Sequence, residues 1–254
     1  MKAYISIVSH GHEQILKNSG LLNSLASQFT VIIKNNKKEN KFKLNDMFGE
    51  IKNLIIIDEK YNLGFGENNN FIYKYCIDQL DIKNDDYFCV INPDILISPE
   101  TLTATLELMS ENNIELSTIP LYTDDSYTQL DNSIRKFPTL STFIRSFLKM
   151  KNESVHIDTT SIYQKADWAA GSFLIFKSSL YKEVNGFNEN YFMYCEDIDI
   201  CRKVQKTGRN LYYFSNLKAI HDAQRNNRKI FSKHFYWHLR SVFIYLTSSP
   251  KNRQ

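Results

Sequence analysis

Short apolar runs of strand character alternate along this sequence with longer stretches of helical spacing, and no other feature narrows the accessible folds as much. Residues 3–9 alternate as a strand does, and residues 12–26 follow with Ile15, Leu21, Leu22 and Leu25 at helical intervals. Strands are expected at 29–34 and 53–57, a helix at 67–80 and a strand at 87–92. Pro99-Glu100 then suits the first turn of a helix ending near Met109. Strand–helix–strand repetition of this kind builds an α/β fold: a mostly parallel central sheet flanked by crossover helices. With 254 residues, 43% of them hydrophobic, the chain can bury a full core.

Periodicity fades between residues 123 and 165, where an inserted helical region or a mobile flap is expected. Order returns with a strand at 172–176, a short helix at 178–184, a helix at 196–207 closed by Gly208, and an aromatic amphipathic helix at 230–246.

Two acidic sites punctuate this frame. Asn92-Pro93-Asp94 ends an apolar strand, and in open α/β sheets ligands gather beyond the carboxyl ends of the strands. By itself the tripeptide is explained as an Asx-Pro turn. Glu196, Asp197 and Asp199 open a helix that ends in Lys203 and Lys206, an arrangement the helix dipole favours without any function. The preceding Gly186-Phe187-Asn188-Glu189-Asn190-Tyr191-Phe192-Met193-Tyr194 supplies a turn and large aromatics, as a pocket wall requires. Carboxylates at element ends can hold a divalent cation, and an unliganded one can accept a proton from an attacking hydroxyl. The pairing suits group transfer from a diphosphate-bearing donor.

Other signals are weaker. Asn62-Leu63-Gly64-Phe65-Gly66 with Asn68-Asn69-Asn70 places two glycines and several amides at a strand-to-helix junction, but lacks the third glycine of a dinucleotide loop. His221 follows an apolar stretch and reads equally as a structural histidine or a metal ligand. His10 and His12 stand where the first helix starts. The four cysteines lack metal-type spacing and read as reduced thiols of a cytosolic protein. Residues 1–8 are too short in their apolar part for a signal peptide, and no apolar run approaches the roughly 20 residues that span a bilayer. All 28 acidic residues lie at or before Asp222, so the first 224 residues hold 24 of the 31 basic side chains and the tail holds seven, unopposed. A tail helix lying on an anionic membrane surface would use both its charge and its aromatics, and a packing helix with a solvated basic face explains them equally. Nucleic acid is not expected as a partner, because the rest of the chain is net acidic.

Taken in order, these motifs resemble the family 2 inverting glycosyltransferases of the GT-A fold, especially the bacterial rhamnosyltransferase-like branch that builds O-antigen and capsule. The resemblance runs from Ile5-Ser6-Ile7-Val8-Ser9 through Asn62-Leu63-Gly64-Phe65-Gly66, Asn92-Pro93-Asp94 in the place of D-x-D, Trp168-Ala169-Ala170-Gly171-Ser172 and Gly186-Phe187-Asn188-Glu189 to Glu196-Asp197-Ile198-Asp199 and His221. It implies a single domain with a nucleotide-binding half at 1–122, an acceptor-binding half at 123–224 and the basic aromatic segment at 225–254. Asp94 would bind Mg²⁺ or Mn²⁺, with His221 as second ligand. Asp197 would be the base, beside Glu196 at the acceptor site. Ser9, His10, Asn35, Asn62, Gly64, Phe65, Asn69 and Asn92 would line the donor pocket, and Trp168 and Gly171 the sugar and acceptor. The partners implied are a nucleotide-sugar donor, dTDP-rhamnose or a UDP-hexose, and a saccharide acceptor carried on polyprenyl diphosphate at the inner face of the cytoplasmic membrane. The chain departs from the family at Lys34-Asn35-Asn36, where an Asp-Asn pair contacts the nucleotide, and at Asn92, which replaces an aspartate. A sugar nucleotidylyltransferase is disfavoured because Ser9-His10-Gly11-His12 is not a glycine-rich, arginine-bearing triphosphate loop. A non-catalytic carbohydrate- or membrane-binding module on a transferase scaffold is favoured by Asn35 and Asn92 and opposed by Asp94, Glu196 and Asp197.

Overall fold

The computed structural model describes residues 1–147, 157, 161–222 and 233–248. Its strands are β1 (Ala3–Ser9), β2 (Thr30–Asn35), β3 (Leu54–Ile57), β4 (Tyr87–Ile91), β5 (Ile95–Leu96), β6 (Leu116–Thr118), β7 (Leu121–Tyr122), β8 (Ile134–Arg135), β9 (Tyr163–Ala166), β10 (Trp168–Ala169), β11 (Phe173–Lys177), β12 (Leu211–Phe214) and β13 (Ala219–His221). The helices are α1 (Glu13–Ser19), α2 (Leu21–Ala26), α3 (Lys43–Phe48), α4 (Phe65–Leu80), α5 (Pro99–Glu111), α6 (Leu140–Phe147), α7 (Ser178–Glu183), α8 (Glu196–Lys206) and α9 (Lys233–Ser248).

Eight strands form one sheet in the order β3-β2-β1-β4-β11-β6-β12-β9. The first four run parallel, as alternation with helices requires, and β4 is buried along its whole length as a central strand covered on both faces should be. Successive side chains point to opposite faces, so Tyr4, Phe88 and Val90 join the layer under α4 and α7, whereas Ile5, Ile7, Cys89 and Ile91 join the layer that holds Leu16, Leu25, Leu102 and Met109. Strand β11 enters antiparallel between β4 and β6, which a reading of parallel crossovers does not anticipate. Beyond β4, the small sheet β5-β13-β7 brings the 94–96 segment against residues 219–221.

The expected helix at 12–26 is two helices, α1 and α2, broken where Gly20 adopts φ 65°. Where periodicity fades, the described residues form β8, α6 and β9. The C-terminal helix begins at Lys233; residues 230–232 of the expected span lie outside the described residues. Cys76, Cys89, Cys195 and Cys201 are free and buried.

Candidate active site

Strand β4 delivers Asp94 through a tight turn: Asn92 N–H donates to Ser172 O (2.9 Å) and Ile95 N–H returns to Asn92 O (3.1 Å). Pairing of His221 with Ile95 in the β5–β13 ladder then sets the imidazole beside this acid. His221 Nε2 lies 3.6 Å from Asp94 Oδ2, while Nδ1 lies 2.7 Å from Asp131 Oδ2. Burial disfavours the charged ring, but the bond to Asp131 and the two carboxylates outweigh it and push the His221 pKa up to about 9. Asp94 also raises the pKa of the nearby His12, against a larger lowering by burial, which leaves the net shift downward. Asp94 Oδ1 is buried and has no hydrogen-bond partner.

The second acidic site opens α8, just after a turn in which Tyr194 and Cys195 adopt φ 74° and 65°. Asp197 Oδ2 accepts the Gly171 N–H (3.3 Å) and Oδ1 its neighbour Ile198 N–H (2.8 Å). Glu196 is buried, and its Oε2 has no partner. Desolvation raises both carboxyl pKa values, Glu196 further because the Asp197 charge adds to burial, whereas the two backbone N–H groups and the Arg135 cation offset the rise at Asp197. The two environments push the pair apart, so Glu196 keeps a proton to higher pH and Asp197 is the acid that ionises.

Arg135 connects the two sites. Its positive charge lowers the pKa of Asp131 as well as that of Asp197, and the backbone joins the two sites directly: Asn92 N–H donates to Ser172 O while the adjacent Gly171 N–H donates to Asp197 Oδ2. Pairing of β8 with β10 sets Arg135 opposite Trp168, whose ring its guanidinium covers at 5.4 Å; the indole N–H donates to Lys136 O (2.8 Å). Trp168, expected at the sugar, is only 7% exposed and serves as the seat of Arg135. Ala170 N–H donates to Ser133 O (2.8 Å), which ties this unit to the segment carrying Gly171. Asp131 and Arg135 were not anticipated from the sequence. The available signal was Asp131-Asn132-Ser133-Ile134-Arg135, a turn leading into a charged strand inside the segment without periodicity.

The glycine- and amide-rich turn faces the protein more than a ligand. A Cβ on Gly64 would stand 2.7 Å from Phe192 O, and one on Gly171 would stand 2.9 Å from the Phe65 ring, so both glycines permit close packing of the donor-side turn on the 168–197 region. Asn69 is buried, donating to Phe65 O and accepting from Ser6 Oγ, and Asn35 is buried between Asp58 and the Lys37 N–H. Ser9 is buried and accepts from His12 N–H. Of the expected donor contacts, His10 and Asn62 remain exposed. A 720 Å³ groove lined by Lys60, Glu67, Lys74, Lys203 and the 185–189 turn contains none of Asp94, His221 and Asp197.

Among the described residues no group of three or more His, Cys, Asp or Glu side chains is arranged to hold a metal. Two groups nevertheless fit a hard divalent cation: the orphaned Asp94 Oδ1 and, once the cation displaces its proton, the adjacent His221 Nε2, whose ring Asp131 orients through Nδ1. One or two protein ligands suffice where substrate phosphates and water complete the shell.

No family model matches the sequence. Rhamnosyltransferase WbbL of Escherichia coli (strain K12) is 38% identical over 250 residues, covering 96% of this chain and 92% of that protein. The N-acetylglucosaminyl-diphospho-decaprenol L-rhamnosyltransferase of Mycobacterium tuberculosis (strain ATCC 25618 / H37Rv) is 26% identical over 170 residues, 64% of this chain and 55% of that protein. In fold, the chain is similar to S. aureus TarS 1-349 in complex with UDP-GlcNAc, with a TM-score of 0.62 at 15% identity, covering 99% of this chain and 68% of that one. The strand order, the paired acidic sites and the full-length similarity to WbbL agree: the chain belongs to the family 2 glycosyltransferases of the GT-A fold.

Proposed function

We propose that this glycosyltransferase moves one sugar, with inversion, from dTDP-rhamnose or a UDP-hexose to a saccharide carried on polyprenyl diphosphate, in the assembly of O-antigen or capsule. The backbone link from Asn92 through Ser172 and Gly171 to Asp197 carries the reading, because it sets the turn of the diphosphate-side acid against the segment that holds the candidate base. The WbbL similarity supports a rhamnosyl donor, the decaprenol-specific relative a lipid-linked acceptor, and the TarS complex a nucleotide-sugar pocket.

Each residue has a task. GT-A glycosyltransferases generally use a divalent metal, and Mg²⁺ or Mn²⁺ held by Asp94 and His221 would neutralise charge on the departing diphosphate. Asp131 fixes the His221 ring through Nδ1. Asp197, raised by burial yet kept ionisable by Gly171 N–H and Arg135, takes the proton from the acceptor hydroxyl as it attacks the anomeric carbon. Glu196, holding its own proton, keeps a second negative charge away from the base.

The test is to incubate purified protein with Mg²⁺, dTDP-rhamnose or UDP-hexoses, and a polyprenyl-diphosphate-linked N-acetylglucosamine. The anomeric configuration of the product is then read by NMR. Transfer with inverted configuration, abolished in Asp197→Asn, is expected. Retained configuration, or full turnover in Asp197→Asn, would remove the assignment.

A further inference from the structure

Helix α9 presents two unlike faces. Its inner face grips the segment of chain that leads into Glu196 and Asp197: Ser241 Oγ donates to Met193 O (2.8 Å), the Trp237 ring packs at a tilt against Phe192 at 4.6 Å, and His238 lies against Tyr194 at 5.1 Å. Val242 and Tyr245 are buried there, and Tyr245 meets Phe143 of α6 at 5.7 Å. The outer face carries Tyr236, Leu239, Phe243 and Leu246 at helical spacing, exposed by 66%, 43%, 68% and 38%. Leu140 at the start of the adjoining α6 is 59% exposed.

We infer that this outer face docks on the surface of an anionic phospholipid bilayer. Charge selects the occupant. No acidic residue follows Asp222, whereas Arg225, Arg228, Lys229, Lys233, Arg240, Lys251 and Arg253 do. An apolar helical stripe in a purely cationic segment matches the in-plane binding of amphipathic helices, in which aliphatic and aromatic side chains enter the acyl boundary and basic ones meet the headgroups. No described helix is long and apolar enough to cross a membrane, so the contact is peripheral. Because the inner face of α9 holds residues 192–194, a bilayer on the outer face lies one helix away from the turn that bears Glu196 and Asp197. The surface stands on these observations alone; its use, presenting the site to a lipid-carried acceptor, rests on the proposed function.

Co-sedimentation of the full chain with vesicles of equal parts phosphatidylglycerol and phosphatidylcholine, against pure phosphatidylcholine, reads the surface without any transfer assay. Binding to the anionic vesicles only, weakened by salt, is expected. The double variant Leu239→Ser/Phe243→Ser alters exposed side chains and should keep the melting temperature of the parent while binding at least about tenfold more weakly. Arg240→Glu should weaken binding by roughly the same factor. Equal affinity for neutral and anionic vesicles, or undiminished binding by the double variant, would overturn the inference. So would a parent dimer that the double variant dissolves, since the stripe would then cover a second copy of the chain.

Discussion

The amide-rich turn after β3 and the acidic site beyond β4 are equally polar, yet they treat polarity in opposite ways. In the turn, Asn36 bridges both Leu63 backbone groups, Asn69 bridges Ser6 and Phe65, and Asn70 holds Phe187 from both ends while accepting from Tyr181. In the acidic site, Asp94 Oδ1, Asn132 Oδ1, Ser133 Oγ, Ser172 Oγ and Glu196 Oε2 are buried without partners. Most buried polar atoms in proteins are satisfied, so a cluster of orphans needs an explanation that scattered ones do not. The turn holds one such atom, Asn68 Oδ1, and three more, on Tyr191, Asp199 and Tyr245, lie where α8 meets α9. The difference separates a turn whose polar groups are satisfied but for Asn68 Oδ1 from a site where unpartnered polar groups cluster.

The sharpest way to break that distinction is Asp197→Asn. An amide keeps the bulk and, through its single oxygen, can accept from only one of the Gly171 and Ile198 N–H groups, and it cannot accept a proton from the acceptor. Loss of about 10²–10⁴-fold in kcat is expected, with an unchanged melting temperature and unchanged donor binding by calorimetry.

Asn70→Ala strikes the opposite region. It strips partners from the Tyr181 hydroxyl and from both backbone groups of Phe187, so a stability loss of about 3 kcal/mol in urea unfolding is expected. Transfer per folded molecule should survive. If activity fell while stability held, the turn would belong to the site after all.

These two regions were unequally legible in the sequence. Strands β1 and β4 and helices α4 and α5 are long enough for their periodicity to speak, and the expected spans match within a few residues. The two-residue strands β5, β7, β8 and β10 have no period to detect. Asp94, Asp197 and His221 stand at element ends, where sequence reasoning looks. The role of Asp131 depends on a partner 90 residues away, and that of Arg135 on a strand pairing with Trp168. The glycines and asparagines of residues 62–70 were recognisable as special, but residue type does not reveal whether an amide turns towards a ligand or towards its own backbone.

Asp131→Asn sharpens the comparison from within the acidic site. Because Asp131 acts through His221, the variant should leave the fold intact and weaken Mn²⁺-dependent donor binding by roughly 10- to 100-fold, the range typical of groups that orient metal ligands. Donor binding measured with chelator present should change little. An equal loss with and without Mn²⁺ would show that Asp131 acts on the donor directly.

The smallest expected effect tests how complete the scaffold is at its one expensive residue. Lys34, near the end of β2, is fully buried; its ammonium donates to Lys60 O at 2.8 Å and lies 5.6 Å from the Phe71 ring. Desolvation lowers its pKa to about 8, with Glu59, Glu67 and Asp58 pulling the other way. An unfolded lysine titrates near 10.4, so between these values the unfolded chain binds the proton more tightly and folding gains as pH rises. Relative to Lys34→Met, the parent should therefore gain about 2 kcal/mol of stability between pH 7 and 9.5, followed by urea unfolding at each pH. Parallel pH profiles for the two proteins would mean that the ammonium is solvated as well in the fold as outside it, and that the donor-side scaffold bears no buried charge.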